Sequence, residues 1–154
     1  MEPSTQIRDA EFVQLRRRRA ELRETMGALE RALSAAASER AVIWGERVHT
    51  ALVELAEDFV DHVEVTEGPD GLHQSILAGD LRLANAVDAL TQEHLVITEE
   101  IRLLVADTEP PVTAADAADV RDRANRLLGW LVRHRQRGAD LIYEAYDTDI
   151  GGGD

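Results

Sequence analysis

The stretch Leu83–Val105, LANAVDALTQEHLVITEEIRLLV, decides the fold. Its apolar residues Leu83, Val87, Leu90, Ile97, Ile101 and Leu104 step by three and four, and His94 fills the position between Leu90 and Ile97. That spacing keeps all seven on one face of an α-helix, the face that a helix in a folded protein turns inward. A histidine in the middle of such a stripe must satisfy two ring nitrogens away from water. The same pattern recurs on either side of this stretch, each time with one histidine in the stripe.

Upstream, Trp44, Val48, Ala51, Leu55, Phe59, His62 and Thr66 form a second stripe. His49 lies 13 residues before His62, about 220° round the helix at ~100° per residue, so it belongs to a boundary or the surface. Downstream, Val120, Ala124, Leu127, Leu131, His134, Gly138, Leu141 and Ala145 form a third. A fourth stripe, near the start, is Phe12, Leu15, Leu22, Met26, Leu29 and Leu33, with Arg19 in one stripe position. Arg16 to Arg19 read as a solvated basic run, or as a run in which Arg19 turns inward to a carboxylate.

These stripes predict an all-α protein, an up-down-up-down four-helix bundle over residues 9–147, with flexible ends at 1–8 and 148–154. The helices are expected at about 9–37, 39–78, 81–107 and 113–147. Ser38 and Glu39 read as a cap and first turn. Gly68-Pro69-Asp70-Gly71 reads as a kink within the second helix, and Ala78-Gly79-Asp80 as the corner after it. Folding back about residue 79 brings His62 level with residue 96, within a turn of His94. Glu109-Pro110-Pro111 ends the third helix, and Thr113 or Asp116 starts the fourth.

Composition bounds the function. The chain has 154 residues, 44% hydrophobic and 31% charged, within the range of one globular domain. A net charge of −13 disfavours nucleic acid and anionic lipid as partners. There is no cysteine, and all 17 basic residues are arginine, so thiolate, disulfide and Schiff-base chemistry are excluded. No apolar run approaches the ~20 residues of a membrane span, and the first residues are not a signal peptide, so a cytoplasmic location is expected. No nucleophile elbow, phosphate loop or His-Glu-x-x-His motif is present. Acidic runs such as Glu54, Glu57, Asp58 and Asp61 read as solvated faces. Tyr143 and Tyr146 read as packing residues or as shields for a polar core. A homodimer and an unidentified protein partner remain open.

Three stretches, LAEDFVDHVEVTE at 55–67, LTQEHLVITEE at 90–100 and LVRHRQRGADLIYE at 131–144, together resemble the hemerythrin-like (HHE cation-binding) family. The resemblance spans roughly Trp44 to Tyr146, with the first helix as the fourth member of the bundle. It implies a non-haem iron centre, with His62, His94 and His134 as ligands. The family pattern has a histidine on the first helix and His-x-x-x-Glu on the second and fourth. Here the first helix has no histidine, Thr66 stands four after His62, and Gly138 four after His134.

The carboxylates nearby are off-register: Glu67 is five residues after His62, Asp140 six and Glu144 ten after His134. A π-bulge ahead of Gly68-Pro69 would align Glu67 with His62. Two functions follow. One is a hemerythrin-like metal-binding protein with a redox or sensing role, holding iron, or alternatively zinc, through His62, Glu67, His94 and His134. The other is a metal-free structural or interaction bundle in which Arg19 pairs with Glu67 or Glu64. Catalysis without a metal has no identifiable nucleophile.

Overall fold

In the computed structural model, residues 3–34 and 40–147 are described, with side chains from Asp9 onward. Every regular element among them is helical. The elements are α1 (Pro3–Ser34), α2 (Ala41–Glu67), α3 (Leu72–Gly79), a single 3-10 turn (Leu81–Leu83), α4 (Ala84–Asp107) and α5 (Ala114–Tyr146). The expected cap at Ser38 and the end of the first helix at Ala37 fall outside the described residues.

Helix directions follow from which residues meet. Arg18 of α1 pairs with Asp61 of α2, while Ser75 just beyond α2 reaches back to Glu11. Glu67 and His49 of α2 meet His94 in the middle of α4 and Thr108 just past its end. Glu93 and Asp107 of α4 meet His134 and Arg123 of α5. Arg19 and Leu33 of α1 meet Arg135 and Arg121 of α5. In every pair one residue number rises as the other falls, so each long helix is antiparallel to both neighbours.

The expected kinked second helix is instead two helices. α2 stops at Glu67, and the Gly71 amide donates to the Gly68 carbonyl at 2.8 Å, closing a tight turn. Pro69 supplies the second position, and Asp70 takes φ of 62° at the third, the type II arrangement. A Cβ on Gly68 would lie 2.5 Å from the Glu64 carbonyl oxygen, so only glycine fits. α3 then packs against α1 and the first half of α4, tied to α1 where the Ser75 hydroxyl donates to both oxygens of Glu11 at 3.2 Å and to α4 where His73 meets Thr91. The reversal into α4 comes at Gly79-Asp80, where Asp80 Oδ1 accepts from the Arg82 amide.

The other boundaries agree with the stripes. α4 ends at Asp107, and Thr113 caps α5 by accepting from the Asp116 amide. The six apolar stripe residues of α1 are buried, as are all seven of α2 and all seven of Leu83–Leu104. In α5, Gly138 and Ala145 are half-buried and the rest of the stripe is buried.

The core is divided. A larger apolar cluster contains Leu22, Phe59, Ile97 and Leu131; a smaller one contains Leu15, Leu72, Leu90 and Leu141. On each long helix the break between the two falls at a buried polar residue: Arg19 on α1, His62 on α2, His94 on α4 and His134 on α5. The stripe positions at one level are thus all polar, and they form a single layer across the bundle.

Candidate metal centre

The three stripe histidines converge. Each of His62, His94 and His134 can place one ring nitrogen within 4.8 Å of the others'. Nε2 of His62 lies 3.3 Å from Nε2 of His134. Two nitrogen ligands at adjacent corners of a tetrahedral ion lie about 3.4 Å apart when each bond is about 2.1 Å. The pair therefore already has the spacing of metal ligands.

Two of the rings are backed by carboxylates. Glu93 Oε1 lies 2.7 Å from His134 Nδ1, and Glu67 Oε2 pairs with His94 Nδ1. A carboxylate only accepts, so Nδ1 of each ring carries the proton, and each neutral ring keeps a bare lone pair on Nε2. This carboxylate–histidine arrangement is the one that fixes ring orientation and raises basicity in metal sites. His62 has no such partner: its Nδ1 is buried without a hydrogen bond.

Glu67 is therefore not where the sequence puts it. α2 is regular α-helix through Glu67, with no π-bulge, so Glu67 points away from His62 and across to α4. It stands behind the His94 ring, outside the converging nitrogens. Asp140 is exposed and accepts from Gln136 Nε2, and Glu144 is exposed. Tyr143 is 56% exposed, while Tyr146 packs edge-on against Phe12 in the smaller apolar cluster.

Two participants escape the sequence reading. Glu93 sits one residue before His94, but it serves His134 on the next helix, and its other oxygen lies 2.6 Å from Arg137 Nε. His73 of α3 is buried, stacks parallel to His94 at 5.7 Å, and places Nδ1 3.2 Å from the Thr91 hydroxyl. Its spacing of three from Ile76 was the available signal. His49 is the boundary residue expected, with Nδ1 3.0 Å from the Thr108 hydroxyl.

Arg19 does turn inward, and it is only 6% exposed. Its guanidinium donates to the Arg135 carbonyl at 3.4 Å and 3.5 Å. A Cβ on residue 138 would lie 3.7 Å from Arg19 Nη1, so Gly138 opens the space that the guanidinium occupies. Phe59 closes the other side, with its ring centroid 5.6–6.2 Å from those of all three histidines. The enclosed space between the rings, Arg19 and Gly138 is about 20 Å³, room for one water-sized ligand.

Burial sets the protonation. It pushes His62 well below its usual pKa, helped by the neighbouring imidazoles and Arg19. Burial also lowers His94 and His134, although Glu67 and Glu93 pull the other way. His73 is lowered to about 4 by burial and by His94. For Glu93 burial acts upward, but hydrogen bonds from His134 and Arg137 outweigh it and hold the carboxyl below its usual value. At neutral pH the layer is thus three neutral imidazoles flanked by two carboxylates, the protonation state that metal ligation requires.

Comparison with protein-family models, curated proteins and solved structures finds no match. Among the described residues, no helix is long and apolar enough to cross a membrane.

Proposed function

We propose that this chain is a metal-binding four-helix bundle holding one divalent transition-metal ion through His62, His94 and His134. One observation carries the reading: His62, His94 and His134 each bring a ring nitrogen within 4.8 Å of the others', while Glu67 and Glu93 hold Nδ1 of two of those rings. Two carboxylates also balance the charge of one divalent ion, which three neutral imidazoles alone do not. Imidazole donors suit iron and zinc alike. Iron is the ion implied by the resemblance to the hemerythrin-like family, and we carry that assignment as part of the proposal. The altered donor set supports one ion and not two, because among the described residues no carboxylate joins the three rings to bridge a pair. A space for one small ligand beside the three rings and Arg19 suits a redox or small-molecule sensing role more than turnover of a large substrate.

A second reading is favoured by Arg19. Its guanidinium supplies the α1 member of the polar layer, and a cation there repels an ion. In that reading the bundle keeps its shape as a structural or interaction module without metal.

Elemental analysis of protein expressed in iron- or zinc-supplemented medium separates the two. The metal reading expects close to one equivalent per chain, lost on His134→Ala. Less than about a tenth of an equivalent after reconstitution overturns it, because an ion held only by the folded state at useful affinity stays with the protein.

A further inference from the structure

A groove between α4 and α5 lies on the outer side of Glu93, away from the histidine rings. It encloses about 370 Å³, within the range of small-molecule sites. Its walls are apolar where Val96, Ile97 and Trp130 line it, and charged where Glu93, Arg133 and Arg137 do. Val96 is 56% exposed, an apolar side chain left open in a strongly acidic chain.

The charges in the groove do not cancel. Glu93 takes Arg137 through Nε at 2.6 Å, and its other oxygen is held by His134. Arg133, one turn before Arg137, has no hydrogen-bond or ion-pair partner among the described residues. Two arginines at i and i+4 repel each other, and an anion beside them relieves that repulsion. The Arg133 side chain folds back along α5, and its Nη1 would lie 3.6 Å from a Cβ on residue 129. Gly129 leaves room for the guanidinium to lie back along α5, and Arg133 and Trp130 both line the groove.

From this arrangement we infer that the groove binds a small carboxylic acid with a flat apolar body. The carboxylate pairs with the Arg133 fork, the geometry that guanidinium recognises in two parallel hydrogen bonds. The body covers Val96, Ile97 and Trp130. The negative charge of Glu93 turns the ligand so that its carboxylate faces Arg133. The site does not depend on any metal, and it is complete in the metal-free chain.

The test uses 2-naphthoate as probe and naphthalene-2-methanol as its uncharged counterpart, titrated calorimetrically into the metal-free protein. Saturable 2-naphthoate binding with Kd below about 1 mM is expected, with a negative heat-capacity change from apolar burial. The alcohol should bind at least about tenfold more weakly. Arg133→Gln should weaken 2-naphthoate about tenfold, and Val96→Trp, which fills the groove, should abolish binding. Arg16→Gln, on an exposed arginine of α1, should leave it unchanged. Absence of saturable binding, equal affinity for the alcohol, or affinity indifferent to Arg133→Gln and Val96→Trp each overturns the assignment. A concentration-dependent dimer dissolved by Val96→Trp, with no 2-naphthoate uptake, also overturns it and makes a second copy of the chain the occupant.

Discussion

Nε2 of His62 faces Nε2 of His134 at 3.3 Å, two ring nitrogens from α2 and α5 meeting inside the bundle. Two bare lone pairs do not rest at that distance; either a proton or a cation lies between them. Glu93 fixes the His134 proton on Nδ1, so without metal His62 must supply the hydrogen from its own Nε2. With an ion bound, that hydrogen must leave Nε2. Nitrogen-15 spectra of the imidazoles should then show His62 as the Nε2–H tautomer in the metal-free chain and as Nδ1–H with zinc. His94 and His134 should be Nδ1–H in both. A His62 tautomer that stays the same when zinc is added would count against ligation.

The two carboxylates behind the rings have separable effects. Glu67→Gln and Glu93→Gln should each weaken metal binding by about 10- to 100-fold while leaving the helical content unchanged. Glu99→Gln, at an exposed carboxylate paired with Arg102, is the control and should do nothing. Competition with a chromophoric chelator measures all three. Equal affinities across the set would mean that the carboxylates orient no ligands.

Arg19 should oppose the ion. A like charge at contact range costs on the order of a few kcal/mol even at an effective dielectric of about 20. Arg19→Met keeps most of the volume and removes the charge, and exchanging a buried charged group for an apolar one is often neutral or stabilising. Metal affinity should rise by about tenfold or more, with no fall in melting temperature. An unchanged affinity would place the guanidinium too far from the ion to matter.

Acid should destabilise the metal-free fold in a defined window. His62, His73, His94 and His134 all have folded pKa values below 6.5, so the unfolded chain binds protons that the folded chain refuses. Stability is then complete above about pH 6.5 and falls as pH drops toward about 4, where folded His73 titrates. His73 alone accounts for on the order of 2–3 kcal/mol. Glu93, held below its usual value, adds its own loss below about 4.5. Urea denaturation at stepped pH measures this, and His73→Phe should make the profile shallower.

Packing at the far end of the bundle is tight at one glycine. A Cβ on Gly45 would lie 2.5 Å from Val112 Cβ, and Val112 is only 2% exposed. Gly45→Ala should cost about 1–3 kcal/mol by overpacking. Val112→Ala in the same chain should recover part of that loss, a coupling that a double-mutant cycle reads directly.

The helices and their inward faces were legible because burial on one side imposes a period. Phe12, Leu29, Leu55, Ile101 and Leu127 all lie where their spacing puts them. The same rule located Arg19, His62, His94 and His134, since a polar residue in a buried stripe is buried too. It could not locate the partners of those residues. Glu67 and Glu93 act across helix pairs, and which carboxylate meets which ring depends on the stagger and rotation of neighbouring helices. Searching four residues along the same helix therefore found Thr66 and Gly138 and passed over Glu93. His73 was missed because α3 has only eight residues, too few to show a long-helix period. The sequence also read Gly68–Gly71 as a kink, because a type II turn and a helix bend share the same residue types.

The division of the core at the polar layer bears on how anything reaches the imidazoles. The space beside the rings is only about 20 Å³, so it leaves little room for traffic while the bundle is closed. The smaller apolar cluster draws on α1, α3 and the near ends of α4 and α5, while the larger one on the other side takes buried residues from all four long helices. Partial opening of the minor half would uncover the rings from below and leave the major half folded. Exchange at the centre would then be governed by how often that half breathes, so its rate would follow the Ser75–Glu11 tether and not the strength of the nitrogen donors.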